Sequence, residues 1–167
     1  MVDAAYAVEA WKDFAVMIGG ASAALAGLLI VAMSINVEQI LRYEYLPSRA
    51  AAALVTVLSP LIIAILLLVP DQPHAALGTE LILLGLALGW VLLGRLARFE
   101  PGRNQSAEQW FIGTSGPMGV LTGGLVLAGV GISADAIGGL LWLAPAVIAA
   151  VLGGTTQAWV LLIEIRR

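Results

Sequence analysis

The side chains able to do chemistry are few and widely spaced in this chain. His74 is the only histidine; it stands beside Pro73 in the run PDQPHAA, with no cysteine or acidic cluster around it. Neither a metal site nor a haem ligand is expected there, and a solvated loop residue is the ordinary reading. Cysteine is absent, which excludes disulfides, thiolate catalysis, iron–sulfur ligation and sulfur-bound zinc. No serine has a histidine nearby in sequence, and Ser-His-Asp catalysis would have to join distant loops. The sequence therefore predicts no enzyme, no metal and no cofactor.

The stretch IGGASAALAGLL, residues 18–29, raises a different chemistry, because glycine-rich turns cradle phosphates. It lacks G-x-G-x-x-G and G-x-x-x-x-G-K-S/T, and no strand precedes it, so the phosphate reading fails. Gly19, Ala23 and Gly27 recur every four residues instead, which lays them along one helix face as a groove for a close neighbour. Gly85 and Gly89 repeat the spacing, as do Gly119 and Gly123.

What positions these residues follows from composition. Of 167 residues, 60% are hydrophobic and only 11% are charged, and the mean hydropathy is +0.98. A soluble domain carries about 25% charged residues, so this is the composition of a membrane protein. The net charge of −3 includes no basic block, and nucleic-acid binding is not expected. The N-terminal MVDAAYAVEAWKD is acidic where a secretory signal is basic, so no cleavable signal peptide is predicted.

A bilayer core needs about 20 apolar helical residues per crossing. Five such runs are predicted, at about 14–35, 50–69, 77–99, 112–132 and 140–163. The fold class is all-α, a polytopic transmembrane helix bundle of five spans forming a single integral membrane domain over 1–167. Arg42, Arg49, Arg95, Arg98, Arg103, Arg166 and Arg167 all fall on one side of this partition, while Lys12 and the loops PDQPHAA and SADAIGG fall on the other. The positive-inside rule then places the N-terminus outside and the C-terminus inside. Seven arginines to one lysine, with abundant alanine and glycine, suggest a GC-rich bacterial genome and a bacterial plasma (inner) membrane.

Aromatic residues follow the same partition: Tyr6, Trp11, Phe14 and Trp142 at the outer boundary, and Tyr43, Tyr45, Phe99, Trp110 and Trp159 near the inner one. Trp90 lies deeper than either belt. Ala4, Val8, Trp11, Phe14 and Ile18 recur at helical spacing, which predicts a surface helix leading into span one, and VEQILRYEYL predicts a second interfacial piece inside. Spans two and three, and four and five, read as hairpins with a weak internal symmetry: Pro60 or Pro117 in the first arm and Asp71 or Asp135 at the tip. Pro60, Pro117 and Pro145 predict interior kinks, freeing the carbonyls of Thr56, Gly113 and Leu141 for hydroxyls or neighbouring helices.

Depth sorts the polar residues. Ser34, Asn36, Thr56, Arg95, Thr114, Ser115, Thr155, Thr156 and Gln157 fall in the inner half, while the outer half reads LIIAILLLV, GGLVLAGVG and LLWLAPAVIAAV. Ser22, Thr79 and Glu80 are the outer exceptions. Polar groups in hydrocarbon require partners or water, so the asymmetry points to a vestibule open to the cytoplasm, with Arg95, Thr114, Ser115, Thr155, Thr156 and Gln157 as lining candidates. Two other readings stand beside it: Arg95 snorkels to the interface, and Gln157 bonds a neighbouring helix. Two functions fit. One is a small homo-oligomeric channel or transporter-like protein; the other is an accessory or assembly subunit packed against a larger membrane complex or against lipid.

Overall fold

The computed structural model describes residues 3–96 and 114–164. Every regular element among them is helical, and five helices are long and apolar enough to cross a membrane. Span one is Lys12–Ile35, span two Leu46–Leu67, span three His74–Val91, span four Gly116–Ala134 and span five Leu143–Glu164. Five such helices suggest a multi-pass membrane protein. Arg98, Phe99, Arg103, Trp110, Arg166 and Arg167 lie outside the described residues, as do the predicted ends of spans three and four at 97–99 and 112–113.

Spans two to five form a four-helix bundle with span one attached to its flank. Around the bundle the order is two, five, four, three, and the most extensive contact joins spans three and four. Spans four and five pack closely, as a hairpin should. Spans two and three pack more loosely, meeting mainly through Leu92–Leu96, which continue span three. Leu67, Leu81, Leu121, Leu125, Leu143 and Ala146 build the central core, each at most 2% exposed. Span one rests mainly on span two, where Ala26 and Leu29 meet Ala53 and Val57, and the Ser22 hydroxyl donates to the Val57 carbonyl.

The predicted surface helix before span one is instead a pair of 3₁₀ turns, Asp3–Ala5 and Val8–Trp11. The Trp11 indole donates to the Ala4 carbonyl at 2.8 Å, and the Gly138 N–H donates to the Tyr6 hydroxyl at 3.2 Å. These bonds seat the segment on the loop between spans four and five. That loop requires glycine at 139, where φ is +47° and a Cβ would lie 2.5 Å from the Ala5 carbonyl oxygen. At the other end, the predicted interfacial piece shortens to the helix Val37–Leu41, anchored by buried Ile40.

Of the three prolines expected to kink helix interiors, only Pro60 does stand inside one. Pro117 occupies the first turn of span four, and Pro145 the first turn of span five. The 3₁₀ turn Gly139–Trp142 runs directly into span five ahead of Pro145, and Gly113, four residues before Pro117, lies outside the described residues. Pro60 does leave the Thr56 carbonyl without its amide partner, and the Ser59 hydroxyl takes that place at 2.7 Å in a fully buried site. Ser59→Ala is therefore expected to cost about 1 kcal/mol in detergent unfolding. In a Pro60→Ala background the N–H of residue 60 again bonds Thr56, and the same serine change is expected to cost close to nothing. Equal costs in both backgrounds would show that the hydroxyl does not serve the freed carbonyl.

Candidate functional site

The six vestibule candidates do not converge on one cavity. Gln157 and Ser115 both lie at the end of the bundle that holds residues 36–45. There span five crosses the start of span four so closely that a Cβ on Gly153 would stand 2.6 Å from Pro117 Cβ and 3.9 Å from Gln157 Nε2. Gln157 is 8% exposed, and among the described residues neither its Nε2 nor the buried Ser115 Oγ has a hydrogen-bond partner. Each such group costs about 1–3 kcal/mol when left unpaired. Thr114 is half-buried next to Ser115.

Thr155 and Thr156 are exposed on span five and turn their hydroxyls onto their own helix. Thr155 donates to the Val151 carbonyl at 2.6 Å and Thr156 to Leu152 at 2.7 Å. Thr56, Thr79, Thr122 and Ser34 make the same bond four residues back. A hydroxyl satisfied in this way needs no water, so polarity at a given depth does not by itself mark an aqueous path. Thr155 opens on an apolar groove of about 440 Å³ between spans one and five, walled by Leu28, Leu29, Val57, Ala158 and Trp159.

Arg95 sits apart from both groups. Leu92–Leu96 continues span three as a π-helical turn, whose extra residue per turn brings residue i+5 over residue i. The Arg95 guanidinium accordingly lies over the Trp90 ring, 4.6 Å from its centroid, with both side chains on the outer surface of the bundle. Gly94 adds no bulk here: a Cβ on it would already stand 3.9 Å from Trp90. The cation is folded back over its own helix, a posture that neither the snorkelling nor the vestibule reading describes.

The small-residue faces also divide. A Cβ on Gly19 would stand 3.1 Å from Ala64 Cβ, and one on Gly85 would stand 2.9 Å from Val126 and 3.0 Å from the Thr122 carbonyl oxygen. Gly89 is looser, 3.8 Å from Thr122. These three serve contacts within the chain. Ala23 is exposed, and a Cβ on Gly27, Gly119 or Gly123 would meet nothing within 4 Å. Tighter contacts lie at glycines outside the four-residue spacing, among them Gly129 against Gly78, Gly153 against Pro117 and Gly154 against Val57.

His74 is exposed at the first helical position of span three, and among the described residues no three of His, Cys, Asp and Glu gather as a metal site. At the same end, Glu80 accepts a hydrogen bond from Gln72 Nε2 at 2.6 Å. Sequence reasoning missed the pairing of Arg95 with Trp90, although their spacing of five was visible and only the π turn makes it a contact. Comparison with protein-family models, curated proteins and solved structures finds no match, so what the chain does has to be read from its own surfaces.

Proposed function

We propose that the protein is an accessory or assembly subunit of the bacterial plasma membrane, with its N-terminus outside and no catalytic site of its own, packing against a larger membrane protein complex. Span one carries this reading. It lies outside the four-helix bundle and rests on span two through Gly19, Ser22, Ala26 and Leu29. Its other face, with Gly20, Ala23 and Gly27, is exposed, meets nothing at the two glycines among the described residues, and bears no charge there. Lipid is as apolar as leucine, so a smooth helix face gains most from close contact with another helix. The proposed orientation draws support from Arg42, Arg49 and Arg95, which gather at one end, where the π turn of span three meets span two.

The test uses positions whose substitution leaves the chain's own packing alone. Gly20→Leu and Gly27→Leu are expected to shift detergent unfolding by less than about 0.5 kcal/mol, since neither Cβ meets an atom within 4 Å. Native mass measurement in mild detergent is expected to show the wild type bound to a chain of different mass, and these variants without it. A wild type that flies alone overturns the reading. Substitution of Gly85 is no substitute, because it breaks the bundle itself.

A homo-oligomeric channel with a cytoplasm-facing vestibule is the second reading, favoured by the unpaired Gln157 Nε2 and Ser115 Oγ. In it Thr114, Ser115 and Gln157 would face water between subunits. Complex masses at whole multiples of the chain mass would support it over the accessory reading.

A further inference from the structure

We propose that spans three and four hold an anionic phospholipid, with its phosphate on the Arg95 guanidinium and an acyl chain in the groove between the two helices. The groove has a volume of about 500 Å³ and is walled by Gly85, Gly89, Trp90, Gly123, Val126 and Leu127. Glycines supply its depth: Gly123 is bare to the outside, and Gly89 is bare over the methyl of Thr122. The one hydroxyl in its floor, that of Thr122, is committed to the Met118 carbonyl at 2.9 Å, which leaves an apolar channel suited to hydrocarbon.

Charge identifies the headgroup. Trp90 is both a wall of the groove and the ring on which Arg95 lies, so the cation stands at the groove's edge. The π turn and the bare Gly94 hold it there, aimed back along the helix. Among the described residues Arg95 meets the Trp90 ring and no carboxylate, and a cation at a hydrocarbon boundary gains from an anion beside it. A phosphate oxygen bonded by two guanidinium N–H groups would supply that anion. A partner helix is the poorer occupant, because it would bury Arg95 as well as Trp90, 61% exposed, and would need a carboxylate to match. Basic sites between transmembrane helices that take lipid headgroups are a recurring solution.

The test is native mass spectrometry of delipidated protein titrated with phosphatidylglycerol and phosphatidylcholine of identical acyl chains. The wild type is expected to prefer phosphatidylglycerol about tenfold, the worth of one charge-assisted hydrogen bond. Arg95→Gln is expected to bring the two lipids to parity, and Arg95→Lys to keep most of the preference. Gly123→Leu, which fills the groove, is expected to lower retention of both. Arg42→Gln, an exposed arginine on the segment between spans one and two, is expected to keep the tenfold preference. An unchanged preference in Arg95→Gln overturns the proposal, as does an equal loss in Arg42→Gln, which would report general surface charge. The proposal rests on the membrane reading alone, so a wild type that retains no phospholipid refutes it without touching the accessory role.

Discussion

Gly129→Leu is expected to abolish the folded bundle, whereas Gly123→Leu, six residues earlier on the same helix, is expected to leave it intact. Spans three and four share the most extensive helix contact in the protein, and they approach closest where Gly78 faces Gly129. A Cβ on Gly129 would lie 2.5 Å from the Gly78 carbonyl oxygen and 3.0 Å from the Ile82 backbone nitrogen. These are backbone atoms of a packed helix, so they cannot rotate aside as a side-chain tip could. Relief requires the two helices to separate along a seam that also holds Leu81, Leu125 and Ile132, each at most 1% exposed. Overpacking of this kind costs roughly 3 kcal/mol or more, and in lipid, close contact along small faces is a principal source of helix affinity. A Cβ on Gly123 meets nothing within 4 Å, and its leucine should cost less than about 0.5 kcal/mol. Thermal unfolding in detergent, followed by circular dichroism, separates the two. Matching melts would mean that the Gly78–Gly129 crossing does not hold the bundle together.

The contrast also marks how far the sequence could be read. Hydropathy located all five helices, because a hydrocarbon layer imposes length and polarity on any span whatever its neighbours. It could not pair the helices. Gly85 and Gly89 stood out by their spacing of four, yet Gly78 and Gly129 belong to no such run and bring spans three and four closer together. Conversely, Gly119 and Gly123 keep the spacing and face outward, since a smooth face looks the same whether it meets a helix of its own chain or lies open.

Polarity along the chain did not reveal which way its side chains turn. Thr155 and Thr156 do lie in the same half of the bundle as Gln157, but their hydroxyls bond the preceding turn, a local option open to any threonine in a helix. Ser59 was hidden for the opposite reason: its role exists only because Pro60 follows it. Arg95 required the π turn, which moves its contact from the fourth residue to the fifth and so escapes any pattern based on 3.6 residues per turn.

The second large effect concerns the membrane itself. Native cysteine is absent, so single cysteines can be introduced without first clearing a background. His74, at the start of span three, and Ala136, in the loop between spans four and five, are exposed at the end of the bundle that holds residues 3–11, and Glu44 is exposed at the opposite end between spans one and two. Each carries a negative or ordinary backbone φ, so cysteine introduces no strain of the kind that Asp71 or Ile137 would bring at φ +52° and +49°.

Labelling these three variants in intact cells with a membrane-impermeant maleimide tests the five-span account most directly. His74→Cys and Ala136→Cys are expected to label fully from outside, and Glu44→Cys only after the membrane is opened. Labelling of Glu44→Cys in intact cells, or disagreement between the His74 and Ala136 positions, would contradict the account.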